Sequence, residues 1–262
     1  MTALRFDLHG RRESDAPTLL LCSGLGGAAG FWRPQLEALA AGYRVIAYDQ
    51  RGTGRNAQPL ADGHAIEDMA DDAAAILDAA GATHCHFVGH ALGGLVGLAL
   101  ARRAPQRVRS LTIVNGWGRA GAHTRRCFDA RLRLLQQAGT RAWCEAQPLF
   151  LYPAAWSEAR RQQVEAEVEH ALAQFPGQRN VLLRVQALLA FDATAWLHAL
   201  PVPALLYAAR DDLLVPWTAS EALARQLPRA ELAVAEHGGH ALCAVDPAAF
   251  NATLLSFLAR TA

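Results

Sequence analysis

The sequence predicts an α/β fold, with a mostly parallel central sheet flanked by helices and an inserted all-helical cap. Short apolar runs recur along the chain with helical segments between them, an order that favours parallel strands joined by crossover helices. Between Trp117 and Pro201 this alternation stops, and only helical periodicity is found. We therefore assign residues 1–117 and 200–262 to the core and residues 118–199 to the cap.

Seven segments are predicted strands. Residues 1–12 alternate Leu4, Phe6 and Leu8 with polar residues, which is typical of a half-buried strand and lacks the apolar centre of a signal peptide. The other strands are predicted at residues 18–22, 44–48, 85–88, 111–114, 204–207 and 231–235. A closing helix is predicted over residues 250–258.

The cap shows a helical spacing of apolar residues, for example at Phe128, Leu132 and Leu135. It contains 10 arginines and 7 acidic residues, a surplus of three positive charges, against 15 and 17 in the rest of the chain. This surplus favours an anionic substrate, although solvated helix faces explain most of these arginines at least as well.

Composition excludes several function classes. A chain of 262 residues with 52% hydrophobic residues can bury a large core, and its net charge of +1 offers no field for nucleic acids or anionic membranes. Five cysteines without a C-x-x-C pair indicate packing residues, not disulfides or zinc ligands. The sequence has no lysine, which excludes Schiff-base catalysis and a P-loop. We expect a cytoplasmic protein without metal or cofactor, and a homodimer stays open.

Residues 89–93 (GHALG) have the spacing of a nucleophile elbow, a strained turn between a strand and a helix that exposes a nucleophilic side chain. The flanking runs are apolar and fit a strand before the turn and a helix after it. However, the position of the nucleophile is occupied by Ala91. The sequence thus predicts the scaffold of the elbow without its nucleophile.

An acid and a base follow in the order expected of a catalytic triad. A predicted strand leads into Asp211 and Asp212, of which Asp212, four residues before Pro216, is the preferred acid. Asp211 is the alternative, with a loop cap or a salt bridge as its structural explanation. After the next strand, residues 236–240 (EHGGH) offer His240 as the base, while His237 fits a structural role.

A glycine-rich loop, residues 23–27 (SGLGG), follows the second predicted strand. An oxyanion hole of this architecture takes one amide from such a loop and one from the residue after the nucleophile. We therefore predict that the amides of Leu25 and Leu92 bind substrate. A plain glycine turn is the structural alternative.

With these motifs in order, the chain resembles the α/β-hydrolase superfamily over its whole length, which implies the α/β-hydrolase fold. Its glycine-rich loop matches the usual H-G-x-G-G with serine in place of histidine. Residues 49–54 (DQRGTG) resemble a further hallmark whose implied role is mostly structural, so Arg51 is not predicted to be catalytic.

A closer resemblance is to the pyrimidine-utilisation protein D family of the Rut pathway, which degrades uracil in bacteria. It is carried mainly by residues 114–117 (VNGW), 122–128 (AHTRRCF), 145–153 (EAQPLFLYP) and 211–216 (DDLLVP). The resemblance implies hydrolysis of carbamate or aminoacrylate, without saying which. It also implies that alanine at the elbow is a native trait, so Ala91 need not be an engineered knockout.

The chemistry of both substrates is compatible with a missing nucleophile. An esterase forms a covalent acyl-enzyme, for which alanine is useless. Carbamate breaks down once its nitrogen is protonated, and aminoacrylate becomes an imine that water attacks. A His240–Asp212 dyad can serve either reaction as general acid or base. Since both reactions also occur spontaneously, a weak catalyst would suffice.

The predicted site is a small cleft between elbow and cap that excludes long acyl chains. Its expected lining is Ala91, Leu25, Leu92, Trp32, Trp117 and His240. Three alternatives stay open: a serine esterase whose nucleophile was mutated to Ala91, a non-catalytic ligand-binding homologue, and another nucleophile-free reaction such as a cofactorless lyase or oxygenase.

Overall fold

A seven-stranded sheet forms the centre of the computed structural model, which describes residues 3–13 and 16–261. The predicted N-terminal strand spans Phe6–Gly10 (β1), and Met1 and Thr2 of that prediction lie outside the described residues. The other strands are β2 (Thr18–Cys22), β3 (Arg44–Tyr48), β4 (Cys85–His90), β5 (Val108–Val114), β6 (Ala204–Ala209) and β7 (Ala230–Ala235).

The strand order is β1-β3-β2-β4-β5-β6-β7, with β1 antiparallel to β3 and every other neighbouring pair parallel. This confirms the predicted fold class. Strand β4 extends two residues beyond its prediction because its pairing with β5 continues through Gly89 and His90, opposite Ile113 and Val114. Tertiary pairing thus overrides the turn preference of a glycine.

Helices cover both faces of the sheet. Those outside the predicted cap are α1 (Arg33–Ala40), α2 (Ile66–Ala79), α3 (Leu92–Arg103), α9 (Trp217–Gln226), α10 (Leu242–Val245) and α11 (Pro247–Thr261). Those inside it are α4 (Ala122–Arg133), α5 (Gly139–Leu151), α6 (Ala154–Ala159), α7 (Arg161–Ala173) and α8 (Gln178–Ala190). The predicted closing helix corresponds to α11.

Two apolar layers enclose the sheet, and β2 contributes side chains to both. All five of its residues are buried. Leu20 and Cys22 face the layer that contains α2 and α3, whereas Leu19 and Leu21 face the layer that contains α1 and α11. Because successive side chains of a strand point to opposite faces, a run without polar residues fits a strand buried on both sides.

The cap segment lies between β5 and β6 in the chain, and its described residues form helices and one isolated β-bridge. Its helices contact the core through buried polar side chains as well as apolar ones. Asn180 on α8 accepts the amide of Leu60 at 3.0 Å and donates to the carbonyls of Gly52 and Gln58. The division into core and cap as separate units stays a prediction.

The five cysteines are all free and buried, as expected of packing residues. Among the described helices, none is long and apolar enough to cross a membrane.

The start of α3 packs directly on the backbone that follows β2. A Cβ atom added at Gly93 would lie 2.7 Å from the Ser23 carbonyl oxygen and closer still to that of Cys22. A Cβ atom at Gly89 would clash with the backbone of Gly93 in the same way. These two glycines therefore allow the turn around Ala91 and the loop after β2 to meet at backbone distance.

Replacing Gly93 by alanine should destabilise the protein, although alanine normally favours a helix over glycine. The new methyl group meets main-chain atoms that cannot move without separating the two loops, and overpacking of this kind costs about 1–3 kcal/mol. Chemical denaturation of Gly93→Ala measures the loss. Gly42→Ala is the matched control, because a Cβ there meets nothing within 4 Å; equal stability of the two variants would contradict the prediction.

Candidate active site

Ala91 occupies the turn between β4 and α3 with φ +48° and ψ −112°, a backbone conformation that residues other than glycine rarely adopt. Strain of this kind costs about 1–3 kcal/mol and persists only where surrounding structure imposes it. Here the Ala91 amide donates to the Val114 carbonyl at 2.8 Å, which ties the turn to β5. The strained elbow is thus kept although its side chain carries no reactive atom.

Asp212 follows β6 and its side chain is fully buried. One carboxylate oxygen, Oδ1, accepts the amides of Leu214 and Val215 at 2.8 and 2.9 Å. The other, Oδ2, lies 2.7 Å from Nδ1 of His240. The expected contact between the predicted acid and base is therefore present, and the carboxylate has little freedom to turn away from it.

The pairing also fixes which nitrogen of His240 is available. An ionised carboxylate only accepts hydrogen bonds, so Nδ1 must carry the proton that lies between it and Asp212. Nε2 is then the nitrogen left for the cavity that His240 lines together with Ala91. The orientation is that required of a general acid or base.

The neighbouring candidates have supporting positions. Asp211 accepts the amides of Gly239 and Gly238 at 2.8 and 3.3 Å, which matches its predicted alternative as a loop cap. His237 lies 3.8 Å from Asp211 with its side chain 90% exposed, so it does not fill the space above Ala91. Asp211 thus shapes the turn that presents His240.

Asn115, just beyond β5, is a supporting residue that the sequence analysis did not single out. Its Nδ2 donates to the carbonyls of His240 and Gly239 at 2.7 and 3.1 Å, and its Oδ1 accepts the amide of Ala209 at 3.0 Å. It connects the ends of β5 and β6 to the histidine turn. An asparagine directly after a predicted strand was the available signal, because asparagine tolerates the left-handed region that it adopts here, at φ +49°.

His90 lies next to His240, with ring centroids 4.8 Å apart, and is buried. Its Nε2 donates to the backbone carbonyl of His240 at 2.8 Å, and its ring stacks on Phe31 with centroids 4.6 Å apart. Burial, helped by the nearby His240 ring, lowers the pKa of His90 to about 3, so the side chain is neutral at physiological pH. It supports the histidine turn without adding charge.

The residues of the two predicted amide donors, Leu25 and Leu92, line the same cavity. Arg184 on α8 orients the first. Its guanidinium donates to the carbonyls of Leu25 and Gly24 at 3.0 and 3.4 Å and to Oε1 of Gln50 at 2.7 Å. The Leu25 N–H belongs to the same peptide as the Gly24 carbonyl, which accepts from Arg184. Because the C=O and N–H of a trans peptide point in opposite directions, the Leu25 amide points away from Arg184.

The cavity has a volume of about 230 Å³. Among its lining residues are five of the predicted six, Ala91, Leu25, Leu92, Trp117 and His240. The prediction for Trp32 is wrong. Its side chain is fully buried in the opposite apolar layer, with its ring 6.2 Å from that of Phe250, and its neighbour Phe31 lines the cavity instead. Sequence cannot tell which of two adjacent aromatic residues faces a cleft.

The cap contributes a polar pair to this cavity, Arg131 on α4 and Gln147 on α5. Arg131 is 4% exposed and donates to Oε1 of Gln147. The sequence patterns did not distinguish it from the other arginines of the cap, most of which solvated helix faces explain. Its spacing from Phe128 and Leu135, three residues after one and four before the other, was the missed sign that it lies on the buried face.

Comparison with known proteins agrees with this architecture. The α/β hydrolase fold family matches residues 17–247. The chain is 55% identical to a protein of Variovorax paradoxus named "Putative carbamate hydrolase RutD", over 98% of this chain and 96% of that protein. A protein of the same name from Stutzerimonas stutzeri is 50% identical over 98% and 97% of the two chains.

Among solved structures, the enol-lactonase of Burkholderia xenovorans superimposes with a TM-score of 0.88 and covers 98% of this chain and 96% of its own. At 24% identity this likeness shows the shared fold.

Stability should fall on acidification through the titration of His90. Its pKa is depressed in the folded state, so below an unfolded-state pKa near 6.5 the unfolded chain binds the extra proton. The contribution of His90 is therefore complete at pH 7 and is lost progressively between about pH 6.5 and 3, by up to about 1.4 kcal/mol per pH unit. His90→Gln should flatten the pH dependence of the unfolding free energy by that amount. His237→Gln serves as the control, and identical slopes for wild type and His90→Gln would refute the assignment.

Proposed function

We propose that this chain, which belongs to the α/β-hydrolase fold family and within it to the RutD family, is a hydrolase of the Rut pathway of pyrimidine degradation. Its substrate is a small C–N compound, carbamate or aminoacrylate. The reaction uses the dyad of His240 and Asp212 and no serine nucleophile. The dyad itself carries the proposal, since a 2.7 Å pairing is retained beside an elbow that holds only alanine.

For carbamate, a proton donor and a cavity with little water are sufficient. Protonated His240 gives the proton on Nε2 to the carbamate nitrogen. The C–N bond then breaks with its electron pair going to nitrogen, while the charge on a carboxylate oxygen forms the second C=O bond of carbon dioxide. Ammonia and carbon dioxide leave, and His240 takes a new proton from water. General acid catalysis of this type contributes about 10²- to 10⁴-fold.

For aminoacrylate, the same imidazole acts first as a base. The enamine tautomerises to an imine, and Nε2 of His240 removes a proton from water as its oxygen bonds to the imine carbon. That proton passes from His240 to the nitrogen, which gives a carbinolamine. His240 then transfers the proton of the new hydroxyl to the same nitrogen, and the nitrogen leaves as ammonia with the C–N electron pair while the C=O bond forms. The products are malonic semialdehyde and ammonia. Asp212 stabilises the imidazolium formed midway.

The amides of Leu25 and Leu92 supply fixed dipoles on the other side of the reacting group. In an esterase such donors stabilise a tetrahedral oxyanion. We infer that here they hold an oxygen of the substrate against the elbow. Product analysis with the purified protein separates the two substrates, because only aminoacrylate yields malonic semialdehyde and only carbamate yields carbon dioxide.

Replacing His240 by alanine should abolish most of the acceleration of carbamate or aminoacrylate breakdown, by about 10²-fold or more, because no other group takes its place in the proton transfer. His237→Ala is the matched control, since that imidazole is three residues away and exposed. Ammonia release over the spontaneous rate is the measurement. If His240→Ala and His237→Ala lose activity equally, the dyad does not act as proposed.

Replacing Ala91 by serine should leave the native reaction little changed, since the mechanism gives the elbow side chain no chemical role. The elbow is built to expose a hydroxyl, so slow hydrolysis of a small activated ester such as p-nitrophenyl acetate is expected as a new activity. Both rates are measured on the same preparation. A carbamate or aminoacrylate activity that is absent with Ala91 and present with serine would mean that the alanine is a disabled nucleophile position.

A further inference from the structure

We propose that Arg131 binds the carboxylate of the substrate, an inference that rests on the function proposed above. It assigns a role to a cap residue and makes the site specific for substrates that carry a carboxylate. Arg131 lines the same cavity as His240 and Ala91.

Arg131 is a buried cation without an anion. Among the described residues, no carboxylate forms a salt bridge with Arg131, and its one hydrogen bond goes to the neutral Oε1 of Gln147. Burial lowers the pKa of this guanidinium to about 10, so it still carries its charge at neutral pH. A buried, unpaired charge costs several kcal/mol, and an anionic ligand would remove much of that cost.

The environment of Arg131 differs from that of Arg184 on α8. Arg184 is buried to a similar degree, but its guanidinium donates to four oxygens of the core: the carbonyls of Gly24, Leu25 and Arg51 and Oε1 of Gln50. Its hydrogen-bonding capacity is used by the fold. Arg131 has the same five donors and one acceptor within the described residues, so most of its capacity remains for a ligand.

Three aromatic rings hold the guanidinium in place. Its central carbon lies 4.7 Å from the ring centroid of Trp143, 5.1 Å from that of Phe128 and 5.3 Å from that of Phe150. Cation–π contacts stabilise the charge and limit its motion, but they do not accept hydrogen bonds in the plane of the guanidinium. The rings therefore fix Arg131 while leaving donors free for the two oxygens of a carboxylate.

The wall of the cavity includes a residue with a second unpartnered donor. Nε1 of Trp117 is buried and makes no hydrogen bond with any described residue, although Trp117 lines the cavity. A buried indole N–H usually has an acceptor. An anionic oxygen in the cavity can accept from Arg131, whereas a neutral apolar ligand would leave that guanidinium unpaired.

Carboxylate binding affects the two candidate substrates differently. In aminoacrylate the carboxylate keeps its charge throughout, so Arg131 stabilises the ground state and the transition state equally and lowers KM without changing kcat. In carbamate that charge disappears as carbon dioxide forms, so Arg131 stabilises the ground state more than the transition state. Loss of Arg131 should then raise both KM and kcat.

The test compares Arg131→Met with Arg133→Met, which removes the same charge from an exposed position on the same helix. Calorimetry with propionate and its neutral analogue propionamide measures carboxylate recognition without turnover. We expect wild type and Arg133→Met to bind propionate at least about tenfold more tightly than propionamide, as one charge-assisted hydrogen bond provides. Arg131→Met should lose this preference, and Arg131→Lys should keep part of it. Turnover of each substrate should show a KM at least about tenfold higher in Arg131→Met, with the kcat response given above.

Failure of this inference can be told apart from failure of the proposed function. If the wild-type protein binds propionate no better than propionamide, the role of Arg131 is overturned. This measurement uses the wild type alone, so it does not depend on whether a variant folds. The role is also overturned if Arg131→Met keeps the wild-type KM while His240→Ala loses activity. Selective binding of propionate that is lost in Arg131→Met, in a protein without turnover, would keep the carboxylate site and refute the hydrolase.

Discussion

The site depends on the hydrogen bond between Asp212 and His240, and much of the surrounding backbone serves to hold that bond in place. Two amides fix the carboxylate, Asp211 caps the turn that carries the imidazole, and Asn115 and His90 both donate to the carbonyl of His240. These groups follow different strands, and parallel strands bring their carboxyl ends to one edge of the sheet. Such support from several elements is what a preorganised proton-transfer group requires.

The elbow raises the question of why strain persists without a nucleophile. Backbone strain is kept where other structure or function requires it. The turn at Ala91 places Leu92 in the wall of the cavity that Leu25 also lines, and glycines at 89 and 93 let the two loops approach. The proposed function uses this arrangement as a pair of fixed donors. In that interpretation, the elbow contributes binding geometry and no nucleophile.

Two buried arginines in the cap have different roles for a simple reason. Arg184 donates hydrogen bonds to the glycine-rich loop and so contributes to the position of the Leu25 amide. Arg131 is surrounded by aromatic rings and one amide oxygen, which leaves donors unused inside the cavity. The number of available acceptors, and not burial or charge, separates a structural arginine from one that is free to bind a ligand. The positive surplus of the cap gave no means of making this distinction.

Local sequence determined the strands, the elbow and the candidate acid and base, because hydrophobic periodicity and glycine spacing are properties of short segments. β2 and β3 coincide with their predicted ranges. Tertiary structure decided which side chains meet in the cavity, because no short segment carries that information. Phe31, not Trp32, faces the cavity because packing against α11 buries the tryptophan on the other side of the sheet. Arg131 joins His240 in one cavity although 109 positions separate them in the chain, since the cap folds back over the strand ends. Periodicity predicts which face of an element is buried, but which groups meet there depends on how the elements pack.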